Sequence, residues 1–334
     1  MKSAPVSQHE RIAAIDVIRG FALIGIFLVN MPTFHSPAFI EGNPNYSGVD
    51  YWLQILLQMF VQTKFYTIFS FLFGLGFYIF MSRAEAKGLK VNRLFSRRLF
   101  ILLLLGAVHL VFLWYGDILH TYALAGFILL LFYKRKPKTL LIWAFSLVGV
   151  FYLLYSTPYT IPAPMYEEIM QQAGQETAGK LNEYVGMYES GSYLEWIGYR
   201  MGAEILPILS QEIFIIMDVL AMFLFGLYAG KIGIFQSFTV HQKKIRGVWL
   251  TAMILSIPLA AMVAALKMNI VDHGVYQQIS VHLFTGLSGV TLCFFYITSI
   301  ILLMQKETWR RLLRPLGFMG QMALTNYLMQ TVIS

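Results

Sequence analysis

The stretch Arg98-Leu-Phe-Ile-Leu-Leu-Leu-Leu-Gly-Ala-Val-His109-Leu-Val-Phe-Leu-Trp114, then Tyr115-Gly116-Asp117, then Ile118-Leu-His120-Thr-Tyr-Ala-Leu-Ala-Gly-Phe-Ile-Leu-Leu-Leu-Phe-Tyr133 and Lys134-Arg-Lys-Pro-Lys138, decides the fold. Two long apolar runs are joined by three residues and closed by a block of four cations. A bilayer core is crossed by roughly 17–25 apolar residues, and a short linker between two such runs makes a hairpin. Lysine and arginine gather on the cytoplasmic side of membrane helices. The stretch therefore reads as two crossings with the basic end inside and Asp117 at the outer turn.

The same pattern extends over the whole chain. Of 334 residues, 57% are hydrophobic and 13% charged, against roughly 25% charged in a soluble domain. Nine spans are expected, at about 17–34, 65–81, 98–114, 118–133, 140–156, 213–230, 248–266, 279–304 and 316–334. Basic groups lie at Arg83 to Arg98, at Lys134 to Lys138, at Lys231 with Lys243, Lys244 and Arg246, and at Lys306, Arg310, Arg311 and Arg314. The alternate loops are poor in positive charge, and 157–212 carries eight Glu against Lys180 and Arg200. This alternation predicts an all-α, multi-pass bundle in the cell membrane with its N-terminus in the cytoplasm. It forms a single transmembrane domain over 1–334, with an extracytoplasmic region at about 157–212 that has room for helices near 165–188 and 193–205. Residues 50–63 are amphipathic. A continuous helix from 50 to 81 would be about 48 Å long, so its start is expected to lie along the outer interface or to cap the bundle. The net charge of +8 suits anionic lipid, and no nucleic-acid motif is present. The single Cys293 excludes an internal disulfide and a zinc cluster, and no metal site is expected.

Ionisable groups inside spans are costly and mark sites. Arg19 and Asn30 are eleven residues apart, which is about 16 Å of rise with only about 20° of offset, so they share a face of the first span. Arg98 and His109 repeat that spacing. On the expected outer side lie His35, Lys64 at the mouth of the second span, Asp117 and His120, Asp218, His282, and Asn326 with Gln330 four residues on. Each has a plainer reading. Asp16, Arg19 and Arg98 suit topology anchors, His109 a bundle histidine bonded to a neighbouring helix, Asp117 the cap of the next helix, Lys64 a snorkelling side chain, and His35 and His120 ordinary loop residues. Gly226 and Gly230 read as a close helix contact.

Four motifs resemble the YeiB family. They are Arg11-Ile-Ala-Ala-Ile-Asp16-Val-Ile-Arg19-Gly20-Phe-Ala22 continuing to Asn30, Lys64-Phe65 with Phe69-Ser70-Phe71-Leu72-Phe73-Gly74-Leu75-Gly76, Gly106-Ala-Val-His109 with Trp114-Tyr-Gly116-Asp117, and Gly320-Gln-Met322-Ala323-Leu324-Thr325-Asn326-Tyr327. The resemblance covers nearly the whole chain. It implies a tenth span beyond Ser334 and hence a C-terminally incomplete sequence. More distantly the pattern resembles transmembrane acyltransferases, namely polysaccharide O-acetyltransferases and heparan-alpha-glucosaminide N-acetyltransferase. These share the Asp-x-x-Arg-Gly-x-Ala start and a polar residue eleven positions after the Arg. That residue is histidine in the O-acetyltransferases and Asn30 here, and an asparagine cannot act as a base.

That kinship implies a membrane-embedded acyltransferase moving an acyl group from cytoplasmic acyl-CoA to an extracytoplasmic hydroxyl or amine on a glycan or lipid. Arg19, Arg93, Arg97 and Arg98 would hold the CoA phosphates. His109 is the first choice of general base, since imidazole titrates near neutrality. Asp117 would orient it if the loop folds back, with His35 as second choice and Asn30 as oxyanion donor. Two other classes stay open. One is a secondary transporter or flippase with Lys64, Asp218 and His109 as a coupling relay, although no internal repeat and no broken helix pair in matching halves is evident. The other is a non-catalytic sensor using 157–212 as a ligand platform. Partners are the bilayer and the acceptor, and homo-oligomerisation is left open.

Overall fold

The computed structural model describes residues 13–34, 36–39 and 47–334. Every regular element among them is helical. In chain order they are α1 (Ala13–Asn30), α2 (Gly48–Phe60), α3 (Lys64–Ala86), α4 (Val91–Phe112), α5 (Leu119–Leu129), α6 (Pro137–Tyr155), α7 (Ala163–Ser190), α8 (Tyr193–Arg200), α9 (Leu206–Ser210), α10 (Glu212–Lys231), α11 (Gln242–Lys267), α12 (Gln277–Leu303), α13 (Glu307–Leu312), α14 (Arg314–Gln321) and α15 (Ala323–Ile333). Seven helical segments are long and apolar enough to cross a membrane: Ala13–Thr33, Gly48–Ala86, Val91–Phe112, Pro137–Tyr155, Glu212–Lys231, Gln242–Lys267 and Gly274–Leu303.

The bundle is organised around α10, which packs on α3, α5 and α6. Every residue from Asp218 to Leu227 is buried, as expected of a helix that is apolar all round. Gly74 and Gly226 face each other's helix so closely that a Cβ on Gly226 would collide with the Phe71 carbonyl and one on Gly74 with the Phe223 carbonyl. The substitution Gly226→Ala is therefore expected to cost about 1–3 kcal/mol, read as a lower midpoint of thermal unfolding in detergent. An unchanged midpoint would mean that the two backbones do not touch there.

The peripheral helices turn apolar side chains outward. Phe100, Ile101 and Leu104 on α4, Trp143, Phe145 and Leu153 on α6, and Ile254 and Ile257 on α11 are all exposed. Contiguous apolar faces of this extent suit an apolar solvent rather than water. Together with the seven long apolar helices, they mark a membrane protein.

Two of the nine expected spans are shorter than anticipated. The apolar segment at the fourth position is Leu119–Phe132, ending in a 3-10 turn. The ninth is divided at Met322 into α14 and α15. There the Met322 N–H donates to the Met319 carbonyl, and the Asn326 side-chain amide donates to the same carbonyl at 2.9 Å. A polar side chain thus replaces the helical bond lost at the break. The amphipathic start of the second span is also a separate helix, α2, packed on α11 and α12. Its Trp52, Leu56 and Phe60 face outward while Gln58 is buried. Thr63, at the break before α3, has φ +70°, a strained conformation for a β-branched residue. Its hydroxyl donates to the Thr285 carbonyl at 2.9 Å. The helices expected within 157–212 are present as α7 and α8, followed by a π-helical turn at Met201–Ile205.

The ends of the helices sort into two sides. On one, Tyr133 donates to Glu85 at 2.6 Å and Lys231 to the Arg135 carbonyl at 2.6 Å, gathering the basic loops. On the other, the 163–210 region sits over the C-terminus of α4.

Candidate functional site

The C-terminal turn of α4 carries His109, and the short linker to α5 returns Asp117 to it. Gly106 permits this, because a side chain there would meet the His120 backbone nitrogen and the Asp117 carboxylate. His109 Nδ1 lies 2.9 Å from Asp117 Oδ1. An ionised carboxylate only accepts, so Nδ1 carries the proton. The other ring nitrogen, Nε2, is left facing the Thr331 hydroxyl of α15 at 3.0 Å. Asp117 Oδ2 accepts from the His120 N–H at 2.9 Å and faces His120 Nδ1 at 2.7 Å. His120 Nε2 in turn lies 3.2 Å from Glu212 Oε2, at the start of α10. With carboxylates on both its nitrogens, His120 is satisfied as imidazolium, or with one carboxyl protonated. The result is a chain from the partly buried Thr331 through buried His109, Asp117 and His120 to Glu212. His109 is 1% exposed and His120 4%.

Beside this chain is a cavity of about 140 Å³, lined by Asn30, Tyr66, Gly116, Ile118 and Tyr327 among others. The Tyr327 ring lies 5.6 Å from that of His109, and its hydroxyl donates to the Gly116 carbonyl at 3.4 Å. The end of α1 is tied here as well, because Trp114 Nε1 donates to the Thr33 carbonyl at 3.1 Å. A second cavity of about 160 Å³ is lined by Gln58, Gln62, Tyr152, Tyr155, His282 and Thr285 among others, and shares Thr63 and Tyr66 with the first. The strained break between α2 and α3 thus stands between the two.

Two of the expected polar groups line these cavities. Asn30 lines the first and His282 the second, where its Nδ1 meets the Tyr155 hydroxyl at 3.3 Å. Lys64 is fully buried, with Nζ donating to the carbonyls of Gln58 at 2.9 Å and Thr285 at 3.3 Å. It does not snorkel. Asp218 accepts from the Tyr66 hydroxyl at 2.9 Å. Gln330 donates to the Leu23 carbonyl at 3.2 Å, whereas Asn326 serves the break at Met322. His35 lies outside the described residues. Among the described residues, no group of three or more His, Cys, Asp or Glu has metal-binding geometry.

The arginines are dispersed. Arg19 binds Asp16 at 3.0 Å and the Gly320 carbonyl at 3.3 Å, on the contact between α1 and α14. Arg93 and Arg97 are exposed on α4, and Arg98 stacks over the Phe80 ring at 4.4 Å. The main neighbours of α1 are α14 and α3, whereas those of α4 are α5 and α3. Equal spacing within two helices did not make the helices neighbours.

Three sets of contacts were not anticipated from the sequence. His120, read as a loop residue, joins Asp117 to Glu212. Its place three residues after an acidic cap was the available signal. Tyr327 lay within a quoted family motif without a role, and Thr331 carried no signal, being an ordinary residue of an apolar helix. The third is the buried pair Arg200–Glu204 at 2.7 Å, which fastens the 163–210 region. Arg200 donates to the Val111 and Leu110 carbonyls at 3.1 and 3.4 Å, and the Tyr193 hydroxyl to that of Phe112 at 2.9 Å. Together they satisfy the open C-terminus of α4. Ser192 and Glu195 form a capping box at the start of α8. Those hydrogen bonds hold the Glu195 carboxyl below the usual range.

Fold and site together define a class: a bundle of membrane-spanning-length helices with a histidine–carboxylate chain buried at one end. The profile described as "Protein of unknown function (DUF418)" matches residues 229–334. The uncharacterized protein YxaH of Bacillus subtilis strain 168 is 34% identical, over 98% of this chain and 82% of its own. An uncharacterized 39.9 kDa protein in the amylase 3′ region of Bacillus acidopullulyticus is 30% identical, over 98% of this chain and 80% of its own. The uncharacterized protein YeiB of Escherichia coli K12 is 37% identical, over 36% of this chain and 30% of its own. The chain belongs to this YeiB/YxaH family of DUF418 proteins. No solved structure matches.

Proposed function

We propose that the chain is a membrane-embedded acyltransferase, carrying an acyl group from cytoplasmic acyl-CoA to an extracytoplasmic hydroxyl or amine on a glycan or lipid. The observation that carries this reading is His109, with Nδ1 held by Asp117 and Nε2 directed at a hydroxyl, beside a cavity. A carboxylate that fixes the tautomer and orientation of a buried imidazole leaves the other nitrogen ready to take a proton from an attacking oxygen. Asn30 faces the same cavity, and its amide suits the developing oxyanion. The topology belongs to the same proposal: nine crossings from a cytoplasmic N-terminus, with α5 as the short fourth and α14–α15 as the broken ninth. The basic loops then lie on the donor side and His109 on the acceptor side. The exposed guanidiniums of Arg93 and Arg97 are the groups best placed for a CoA phosphate, since Arg19 already binds Asp16.

The test uses membranes from cells expressing the protein, supplied with radiolabelled acetyl-CoA. Label is expected in the extracted lipid or glycan fraction, absent from membranes lacking the protein. No excess label in either fraction would overturn the reading.

One observation favours a second reading, a transporter. Discontinuous helices are the usual builders of transport sites. Residues of both broken segments, Val61 and Thr63 at one and Tyr327 beyond the other, line the same cavity. Lys64 and Asp218 are buried nearby. Movement of a solute across proteoliposomes without chemical change would favour this alternative.

A further inference from the structure

We propose that Thr331 is a transient acyl carrier, whose hydroxyl takes the acyl group from the donor before the acceptor receives it. This rests on the acyltransferase reading and adds a covalent step to it.

The first support is the alignment of carboxylate, imidazole and hydroxyl. Asp117 Oδ1 is 2.9 Å from His109 Nδ1, and His109 Nε2 is 3.0 Å from Thr331 Oγ1. This is the arrangement that activates a hydroxyl nucleophile on unrelated folds, recognised by geometry and not by sequence order. The second support is the unusual direction of that same contact. Serine and threonine hydroxyls in helices commonly bond back to a carbonyl one turn earlier. Thr67, Ser70, Ser280 and Thr298 all do so here. Thr331 instead reaches a residue 222 positions away in the chain. The third is access. His109 is 1% exposed with both nitrogens engaged, so an acceptor hydroxyl meets Nε2 only after Thr331 has left it. Thr331 is only partly buried. It lies one turn beyond Tyr327 on the same helical face, and Tyr327 lines the cavity.

In the first half-reaction the Thr331 hydroxyl proton passes to His109 Nε2 as Oγ1 adds to the thioester carbonyl. The carbon–sulfur bond breaks, and the CoA sulfur leaves with the proton returned from Nε2. The products are an oxygen ester on Thr331 and free CoA thiol. In the second, the acceptor gives its proton to Nε2 and its oxygen or nitrogen adds to the ester carbonyl. The bond to Oγ1 breaks, and Thr331 regains a proton from His109.

Purified full chain in detergent, given radiolabelled acetyl-CoA without acceptor and quenched in acid, tests this step. The expected result is an acid-stable label on the peptide carrying Thr331, located by tandem mass spectrometry. It should persist in Thr331→Ser and vanish in Thr331→Val. The valine variant keeps the side-chain shape, and gel filtration checks that it remains monodisperse. Membranes expressing wild type are assayed in parallel for label in the lipid and glycan extracts. Label in an extract with none on the purified protein, or label on another residue, overturns the Thr331 step and leaves acyl transfer standing. No label on either protein or extract overturns both.

Discussion

Replacing His109 with glutamine is expected to lower acyl transfer by about 10²–10⁴-fold, the usual contribution of a positioned general base. Glutamine keeps a side-chain donor and acceptor of comparable reach, so the Asp117 carboxylate and the Thr331 hydroxyl are not both stranded. The loss would therefore report chemistry and not collapse of the site. His109→Ala removes both partners at once, and leaving Asp117 Oδ1 buried without its donor adds about 1–3 kcal/mol of instability. Asp117→Asn is informative in a different way. It offers a donor where the imidazole needs an acceptor and so favours the wrong tautomer, reducing kcat while keeping the packing. Initial rates of label transfer from acetyl-CoA, with thermal melts of each variant, separate these effects. Full transfer by His109→Gln would remove His109 from the mechanism.

The largest effect on stability is expected at Arg200. Its guanidinium is 2% exposed. It lies over the Trp196 ring at 4.6 Å, binds Glu204 at 2.7 Å, and donates to the Leu110 and Val111 carbonyls. Arg200→Met breaks the ion pair from one side, leaving Glu204 buried beside an uncapped helix end. Breaking a buried pair in this way costs about 3–5 kcal/mol. Glu204 also accepts from the Ala38 N–H at 3.0 Å, so the loss should extend to the segment after α1. The double variant Arg200→Met/Glu204→Leu should be less damaged than the sum of the single variants, because no lone charge remains. Arg200→Lys should recover little, since one ammonium cannot reach three acceptors in a planar fork. Unfolding midpoints in detergent for the four proteins of the cycle measure the coupling. Wild-type stability in Arg200→Met would show that the outer region is held by other contacts.

The helices themselves were legible because apolar runs of span length leave few other solutions. The pairing of His109 with Asp117 was legible as a proposal, since Gly116 and Asp117 follow α4 closely enough for the chain to turn back. What could not be read were the features set by distant partners. Val61-Gln62-Thr63 and Met322 contain no glycine or proline, so length suggested a change of course before α3 but no residue fixed where either break falls. Thr63 holds its left-handed backbone through a bond to Thr285, and the gap at Met322 is closed by Asn326. Arg19 and Arg98 illustrate the same point, because α1 packs mainly on α14 and α3, and α4 on α5 and α3. Periodicity fixes which residues share a face of one helix, but not which helix that face meets. Asp117 makes the contacts of both readings at once, since one oxygen accepts from the first turn of α5 and the other from His109.

The central position of α10 has a consequence for biogenesis. The helices it joins, α3, α5 and α6, are all made before it, and α3 emerges some 150 residues earlier. At about 5–20 residues per second this leaves an interval on the order of 10 s in which the surface around Gly74 has no occupant. During it, Tyr66 lacks Asp218 and His120 lacks Glu212, so polar groups destined for the interior face lipid or the insertion machinery. The nascent chain must hold open a slot for a helix still in the ribosome. A chain released after α6 would present that slot to the quality-control proteases of the membrane.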